Sequence, residues 1–225
     1  MQQVKKFNVY ERERDRRLLF TKNLTPGKSF FAEMLLKDRG AEYRAWDVSR
    51  SKLGAGIKKG ASQIGIKEGD AVLYLGASHG FTPSYVSDMV GRDGFVFCLD
   101  FAPRVVRDLV FVCEERENMA PILADANQPE SYKELVPAEV DVVFQDVAQK
   151  NQLGIFLKNC DSYLKTGGFG LLALKARSVD VTKKPREIFE RVRKELEKHP
   201  GMTVVDYRDL YPFEKDHALF ICKKK

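Results

Sequence analysis

The stretch Ala71-Val-Leu-Tyr-Leu-Gly-Ala-Ser-His-Gly-Phe-Thr82, together with Phe95-Val-Phe-Cys-Leu-Asp100, decides the fold of this chain. It predicts a buried strand, a glycine turn, a helix and a second strand that ends in a carboxylate. Such a unit builds a nucleotide-type ligand site at the carboxyl edge of a parallel sheet. Asp100 follows Gly80 by 20 residues, the distance at which an acidic side chain can accept hydrogen bonds from ribose hydroxyls. The plainer alternative is a glycine turn that only closes a βα unit.

The spacing of the glycines narrows the choice of ligand. The pattern Gly76-x-x-x-Gly80-x-Thr82 differs from the Gly-x-Gly-x-x-Gly that holds a pyrophosphate at a helix N-terminus. A nicotinamide oxidoreductase is therefore disfavoured. A looser glycine turn suits S-adenosylmethionine (SAM), which carries ribose and adenine but no phosphate.

The order of the remaining elements predicts an α/β protein with a Rossmann-like SAM-dependent methyltransferase fold. After residue 70, strands and helices alternate at βαβ spacing and close with a helix followed by a hairpin. SAM-dependent methyltransferases have this order and dehydrogenases usually lack it. The likeness, and not the sequence pattern itself, implies a mostly parallel seven-stranded sheet with a terminal antiparallel strand. We therefore expect a methyltransferase domain over residues 49–225, beginning with a serine-capped helix that reaches about Ile64.

Short apolar or alternating runs near the N-terminus predict a small antiparallel β appendage over residues 1–48. These runs are Val4 to Tyr10, Arg17 to Lys22, Phe30 to Leu36 and Glu42 to Trp46. The charged stretch from Glu11 to Arg17 is expected to form an exposed hairpin turn.

The net charge of +6 is unevenly distributed. Residues 1–70 contain 16 Lys and Arg against 9 Asp and Glu, whereas residues 71–225 contain 22 against 23. A basic appendage beside a neutral catalytic domain indicates an anionic partner, with nucleic acid first. The alternative is ordinary solvated surface charge.

Several classes of protein are disfavoured by composition. No segment approaches the roughly 18 apolar residues of a membrane span, so no membrane association is expected. The N-terminal residues lack the apolar core of a signal peptide, which predicts a cytoplasmic protein. The cysteines are scattered and form no Cys-x-x-Cys motif, so no metal site is predicted and reduced thiols are expected. They are Cys98, Cys113, Cys160 and Cys222.

Two charged residues end neighbouring strands of the predicted sheet. Asp146 follows the run Val140 to Gln145, and Lys175 ends the run from Leu171. Because neighbouring strand ends lie about 5 Å apart, these side chains form a plausible acid–base unit over the ligand pocket. The alternatives are a helix-capping aspartate and a lysine that reaches out to solvent.

Further polar residues are expected at the same edge. Asp125 follows the strand Ala120 to Ala124, where Asp125 and Ala126 could receive an adenine amino group. His217 opens the last strand and reaches this edge if that strand is antiparallel. The alternatives are a simple turn aspartate and a half-exposed histidine.

Eight segments of the chain resemble archaeal members of the fibrillarin family, and the similarity covers essentially the whole chain. The segments Asp146-Val-Ala-Gln149 and Arg50-Ser-Lys-Leu-Gly-Ala55 are the most specific to that family. The others are Asn23-Leu-Thr-Pro-Gly27, Glu42-Tyr-Arg-Ala-Trp46, Val72-Leu-Tyr-Leu-Gly76, Val86-Ser-Asp88, Ala176-Arg-Ser-Val-Asp-Val-Thr182 and Glu214-Lys-Asp-His-Ala-Leu-Phe220.

The resemblance implies a set of site residues. Its catalytic set has Asp146 and Lys175 at the centre, with Lys37 and His217 as further members. Contacts to SAM are implied for Gly76, Phe81, Thr82, Asp100, Phe101, Asp125, Ala126, Asp146, Val147, Ala148 and Gln149. The chain departs from the usual pattern in its glycine turn, where His79 and Phe81 replace small or hydroxylated residues, and at Asp100, which replaces a glutamate.

The resemblance also implies an enzyme, a SAM-dependent RNA ribose 2′-O-methyltransferase that acts on ribosomal RNA, with transfer RNA as a second candidate substrate. Its target is chosen by pairing with a box C/D guide RNA. Its implied protein partners are a Nop-family scaffold protein and a kink-turn-binding ribosomal-type protein. Two alternatives stay open: a ribonucleoprotein scaffold with a degenerate SAM site, motivated by the altered glycine turn, and a protein glutamine methyltransferase.

Overall fold

The computed structural model describes residues 1–4, 7–13, 15 and 17–225, and its strands form two sheets. The first sheet has five antiparallel strands in the order β1-β2-β3-β5-β4. These strands are β1 (Gln2–Val4), β2 (Val9–Glu11), β3 (Leu18–Lys22), β4 (Leu35–Asp38) and β5 (Ala41–Asp47). The predicted N-terminal antiparallel sheet is therefore confirmed.

Two of the predicted N-terminal runs are shorter than expected. The run from Val4 to Tyr10 breaks into two strands, because Asn8 takes a left-handed φ of 56° and the Phe7 N–H donates to the Val4 carbonyl over 3.0 Å. The run from Phe30 becomes a strand only at Leu35. There the Glu33 carboxylate accepts from the backbone N–H groups of Phe30 and Phe31, at 3.3 and 2.7 Å, in place of a neighbouring strand.

Four residues of the predicted segments lie outside the described residues. They are Lys5 and Lys6, which belong to the first predicted run, and Arg14 and Arg16, which belong to the predicted hairpin turn.

The second sheet has seven strands in the order β11-β12-β10-β9-β6-β7-β8. These are β6 (Ala71–Leu75), β7 (Phe95–Asp100), β8 (Met119–Leu123), β9 (Val140–Gln145), β10 (Leu164–Lys175), β11 (Met202–Asp209) and β12 (His217–Lys224). Only β12 runs antiparallel to its neighbours, β10 and β11. The predicted sheet, mostly parallel with an antiparallel end strand, is confirmed.

The helices of the described chain connect the strands of the second sheet or precede it. They are α1 (Lys52–Lys58), α2 (Phe81–Val90), α3 (Pro103–Glu114), α4 (Gln152–Tyr163), α5 (Ala176–Val179) and α6 (Pro185–Lys198). Within the described part of the chain, no helix combines the length and the apolar composition that a membrane crossing requires.

The first helix is shorter than the sequence predicts. Ser51 caps its start, because the Ser51 Oγ accepts from the Gly54 N–H over 3.2 Å. The helix ends at Lys58 and not near Ile64. Gly60 takes a left-handed φ of +81°, and its N–H donates to the Ile57 carbonyl over 2.9 Å, which closes the helix.

A buried cluster of charges joins the first sheet to the second. Arg44 on β5 contacts Glu33 at 2.7 Å and Asp88 of α2 at 3.0 Å, and Arg116 contacts the other oxygen of Asp88. The side chains of Arg44, Asp88 and Arg116 are fully buried. Moving one member of such a cluster away would leave a buried charge without a partner, which is costly. The cluster therefore holds α2, and the glycine turn before it, in a fixed position against β5. All five strands of the first sheet precede residue 48, and the domain boundary itself stays a prediction.

Candidate active site

The glycine turn lies where the carboxyl ends of β6, β7 and β9 meet. Gly76 follows β6 with a φ of +84°, and a Cβ at this position would stand 2.3 Å from the carbonyl oxygen of Asp146. The N–H groups of Gly76 and Ala77 both donate to the Leu99 carbonyl, at 2.8 and 3.0 Å. Glycine is therefore required at position 76, since both its φ and the close approach of Asp146 exclude a side chain.

A cavity of about 360 Å³ opens beside this turn. It is lined by Gly76, Ser78, Leu99, Asp100, Phe101, Ala126, Asp146, Val147, Ala148 and Gln149. Most of the residues that the sequence assigned to a cofactor site therefore line one cavity. The sequence missed Ser78 and Leu99, which neighbour the assigned residues Gly76 and Asp100.

The carboxylate of Asp100 is held at the cavity by two backbone groups. Its Oδ2 accepts from the Ser78 N–H over 2.9 Å and its Oδ1 from the Ala102 N–H over 3.1 Å. Each oxygen keeps lone-pair capacity for a further donor, such as a hydroxyl of a ribose. Phe101, which is 65% exposed, lies beside it at the rim. The Asp100 carboxylate and the Phe101 ring thus lie side by side. A nucleoside needs both, the carboxylate to accept from its ribose hydroxyls and the ring to pack against its base.

On either side of the lining residue Ala126, Asp125 is hydrogen-bonded to Asn127. The Asp125 Oδ1 accepts from the backbone N–H of Asn127 at 2.9 Å and from its side-chain amide at 3.0 Å. These bonds lower the pKa of Asp125. The same Asn127 amide donates to the Gln149 Oε1 over 2.9 Å. Asp125 itself does not line the cavity, and Asn127, which the sequence did not indicate, links it to Gln149.

Phe81 and Thr82 also stand outside the cavity lining. The Phe81 ring packs edge-on against Phe31 and Tyr85, and the Arg50 guanidinium lies 4.1 Å over its centroid. The buried Thr82 hydroxyl donates to the Ser51 Oγ over 3.0 Å. The two residues therefore join the start of α2 to the first sheet and to α1.

His79, the other unusual residue of the turn, faces away from the cavity lining. Its Nδ1 lies 3.0 Å from the Asp108 Oδ2 on α3, and both side chains are about half exposed. His79 thus contributes to the contact between the glycine turn and α3, and it is not part of the cavity lining.

Asp146 is paired with a lysine that the sequence did not single out. The Lys52 Nζ lies 3.2 Å from the Asp146 Oδ2, and the two side chains are 23% and 21% exposed. Burial raises the pKa of Asp146, and Lys52 only partly opposes this. Burial alone would lower the pKa of Lys52, but the carboxylates of Asp146 and Glu214 raise it above its usual value. The lysine is therefore held charged beside a carboxylate that takes up a proton more readily than a surface aspartate.

Lys175 and His217 lie opposite each other on two adjacent strands. They are register partners in the β10–β12 pair, as the predicted antiparallel strand requires. The side-chain amide of Gln152 fixes the Lys175 backbone, because its Oε1 accepts from the Lys175 N–H and its Nε2 donates to the Lys175 carbonyl, both over 2.9 Å. The strand end that carries Lys175 is thereby rigid.

The imidazole of His217 has a defined tautomer. Its Nδ1 lies 2.6 Å from the Lys215 carbonyl oxygen, and since a carbonyl can only accept, the Nδ1 carries the hydrogen. Burial lowers the pKa of His217, although the Lys215 carbonyl opposes this. The neutral ring therefore keeps its Nε2 as an acceptor.

Lys37 lies elsewhere. It is on β4, the edge strand of the first sheet, opposite Glu42 in the β4–β5 pair. The structure brings together Asp146, Lys175 and His217 at one sheet edge but places Lys52, not Lys37, beside them. The one signal that pointed to Lys52 was its place within the family-specific Arg50-to-Ala55 segment. In the described chain, no three His, Cys, Asp or Glu side chains are grouped so that they could hold a metal ion.

Comparison with known proteins places this architecture in a family. The fibrillarin family model matches residues 1–225. The chain belongs to the fibrillarin family. A curated relative from Pyrococcus horikoshii, named fibrillarin-like rRNA/tRNA 2′-O-methyltransferase, is 50% identical over 204 residues, which are 91% of this chain and 88% of the relative.

Solved fibrillarin structures are similar over the same extent. Aeropyrum pernix fibrillarin, solved with natively bound S-adenosyl-L-methionine, gives a TM-score of 0.83 at 43% identity and covers 91% of this chain and 88% of its own. A fibrillarin solved in complex with Nop5p gives a TM-score of 0.87 at 34% identity and covers 97% and 98%. The predicted family and fold class are confirmed.

Proposed function

We propose that this chain transfers the methyl group of SAM to a ribose 2′-oxygen of RNA. The observation that carries this proposal is the cluster of Lys52, Asp146, Lys175 and His217 at the sheet edge, beside a cavity suited to a nucleoside. The function and the cofactor expected from the sequence are confirmed at the level of the family, whose members include a named 2′-O-methyltransferase and a structure with bound SAM.

The cavity residues fit SAM by their chemistry. The Asp100 carboxylate is placed to accept from ribose hydroxyls, and Phe101, Val147 and Ala148 offer apolar contact to an adenine ring. The missing Cβ at Gly76 makes room for the Asp146 carbonyl, which brings the cavity residues Asp146 and Val147 close to the turn. SAM supplies an electrophilic methyl group carried on a positively charged sulfur.

The catalytic work of the chain lies in the positioning and deprotonation of the RNA hydroxyl. We propose that Lys175 donates to the 2′-oxygen as it develops negative charge. Asp146 takes the hydroxyl proton through Oδ1, the oxygen other than the one that contacts Lys52. Its pKa, raised by burial, makes it a better base than a surface aspartate. Lys52 orients this carboxylate and keeps it ionised before the RNA enters.

His217 is a positioning residue in this proposal. Its Nε2 acceptor lies on the strand opposite Lys175, where it is placed to accept from the lysine ammonium or from the RNA hydroxyl. Lys37 is left out of the catalytic set because of its place on the first sheet.

We further propose the partners that the resemblance implies: a Nop-family scaffold protein, a kink-turn-binding ribosomal-type protein, and a box C/D guide RNA that selects the target. The complex of a related fibrillarin with Nop5p supports the scaffold partner. The named activity of the relatives supports ribosomal and transfer RNA as substrates. We also propose a cytoplasmic location, as the sequence led us to expect.

A scaffold without activity is the second candidate, because Phe81 departs from the usual glycine turn. The position of its ring speaks against this candidate, since Phe81 does not line the cavity, and Asp100, which does, keeps a carboxylate in place of the usual glutamate. Transfer to a protein glutamine fits the same cavity but makes no use of two lysines around one carboxylate.

Transfer of labelled methyl from SAM to RNA tests the proposal, with the guide complex present and absent. We expect label on one ribose of the paired target only when the complex is assembled. Lys175→Ala should bind SAM normally and lose turnover by about 10²-fold or more. Lys37→Ala is the matched control and should keep it. Near wild-type turnover of Lys175→Ala would overturn the catalytic assignment, and absence of SAM binding by the wild type would favour the scaffold.

A further inference from the structure

A second cavity, which we call the flanking pocket, lies next to the catalytic cluster. It has a volume of about 350 Å³ and lies between the start of α6, the end of β11 and the turn that leads into β12. The side chains that matter here are Lys184, Arg186, Asp209, Tyr211, Lys215 and Asp216. The catalytic mechanism uses none of them.

The flanking pocket carries a net positive charge, because three cations line it against two carboxylates. Of these carboxylates, Asp216 pairs with Arg177 at 3.1 Å, whereas Asp209, whose Oδ1 accepts from the Tyr211 N–H over 3.0 Å, keeps its charge. Lys184, Arg186 and Lys215 are exposed, and none of them forms an ion pair with a carboxylate that the structure describes. Three free cations around one cavity favour an anionic ligand.

The walls of the flanking pocket are fixed by hydrogen bonds. The Ala176 N–H donates to the Asp216 carbonyl over 3.0 Å, so that the segment after β10 is tied to the turn before β12. The Lys59 Nζ donates to the Tyr211 carbonyl over 2.9 Å. The Tyr211 ring is nevertheless 65% exposed. A large, mostly exposed ring on a fixed backbone can serve as a stacking surface for a base.

The pocket is joined to the catalytic cluster through neighbouring residues of the chain. The carbonyl of Lys215 is the partner of the His217 Nδ1 at 2.6 Å, and Ala176 directly follows Lys175. One turn of chain therefore carries both the pocket cation Lys215 and His217.

We propose that the flanking pocket binds the target RNA strand beside the methylated nucleotide: Lys184, Arg186 and Lys215 contact its phosphates, and Tyr211 stacks on the adjoining base. This rests on the proposed function, because it places the strand relative to the methylated ribose. Contacts to phosphates hold the strand in register without reading its sequence, which suits an enzyme whose target is chosen by pairing with a guide.

The test compares two triple variants in the full guide complex. One is Lys184→Ala with Arg186→Ala and Lys215→Ala. The control removes three exposed lysines that line neither cavity and form no ion pair in the described chain, at positions 67, 158 and 194. Both variants lose the same charge, so any difference between them reports position. The measurements are kcat and KM for the target RNA over a range of salt, the SAM dissociation constant, thermal unfolding and assembly of the complex.

The pocket triple is expected to raise the KM for RNA by about tenfold or more, with a salt dependence of log KM shallower by about 2 to 3, as the loss of that many phosphate contacts predicts. SAM binding, folding and assembly should match the control triple. Tyr211→Ala should raise KM by roughly tenfold and Tyr211→Phe by less than about twofold, since the ring is what stacks.

Other outcomes overturn the proposal in distinguishable ways. Equal KM and equal salt dependence in the two triples would show that the strand does not use this pocket. Loss of assembly by the pocket triple alone would make the surface a protein contact instead. If the wild type binds RNA and SAM but transfers no methyl group, the proposed function fails. A comparison of direct RNA binding by the two triple variants would then still show whether the pocket binds RNA.

Discussion

Replacement of Gly76 by alanine is the most direct test of how the glycine turn and the end of β9 form the candidate active site. An alanine here must adopt a φ of +84°, and its Cβ would stand 2.3 Å from the Asp146 carbonyl oxygen, against 3.4–4 Å in ordinary contact. The turn and the end of β9 must therefore separate by about 1 Å or distort. Since Asp146 directly follows that strand, the substitution displaces the carboxylate that we propose as the base.

The magnitude follows from two separable costs. A left-handed backbone costs an alanine about 1–2 kcal/mol, and the forced contact adds about 1–3 kcal/mol. Gly69→Ala is the matched control, because Gly69 has a φ of +85° with nothing within 4 Å of its Cβ position. It should show the backbone cost alone. Gly76→Ala should thus lower the free energy of unfolding by about 2–5 kcal/mol and Gly69→Ala by about 1–2 kcal/mol.

The assays are urea denaturation for stability, calorimetry for SAM binding and turnover on the assembled guide complex. Because a displacement of about 1 Å at reacting groups can cost about 10²-fold, Gly76→Ala should lose at least that much turnover while Gly69→Ala keeps it. If the two variants are equally stable, and Gly76→Ala binds SAM and turns over like the wild type, the steric reasoning about this turn is wrong.

Three further substitutions test the electrostatics and the packing around the site. Lys52→Met should lower kcat by about 10²-fold and move the acid limb of the pH–rate profile to higher pH, because the pKa of Asp146, already raised by burial, loses its opposing cation. An unmoved limb would contradict this. Burial acts to raise the pKa of Glu33, but Arg44 and backbone N–H groups lower it from 4.5 to about 2. Since a lowered pKa stabilises the fold above pH 4.5, Glu33→Gln should unfold about 3 kcal/mol more easily at pH 7. In urea denaturation this difference should shrink from pH 4.5 towards pH 2, and a constant difference would count against the ion pair. Phe81→Ala should change the SAM dissociation constant by less than about twofold in calorimetry while lowering stability by about 2 kcal/mol, and a large loss of affinity would return the ring to the cofactor site.

Local patterns in the sequence were sufficient for the second sheet and for the residues at its strand ends, whereas the other cofactor residues were implied by the family resemblance. Apolar runs separated by turn residues marked the strands, and residues directly after a strand must lie at its carboxyl end. Asp100, Asp146 and Lys175 were therefore placed correctly at the edge without any knowledge of contacts. The direction of the last strand was expected only because the order of elements resembles that of SAM-dependent methyltransferases. In the structure this strand is antiparallel, and its pairing with β10 brings His217 to the same edge as Lys175.

The first sheet was harder to predict in detail. Its strands are short, and side chains such as Glu33 and Asn8 end or interrupt them through local hydrogen bonds and backbone geometry. These effects compete with β-propensity over only a few residues, so pattern alone misplaced the strand ends.

The partners of the charged residues were decided by tertiary structure alone. Sequence reasoning offered Lys37 for the catalytic set, but the fold brings Lys52 to Asp146, because Ser51 at the start of α1 contacts Thr82 at the start of α2. Likewise, the basic excess of the N-terminal region looked like a surface for RNA, yet Arg44 there is buried in an ion cluster. The position of a strand end follows from the pattern of apolar and polar residues, which extends over only a few residues of the sequence. Which charge faces which depends on the packing of distant segments, and desolvation and ion pairing take effect only after that packing has formed.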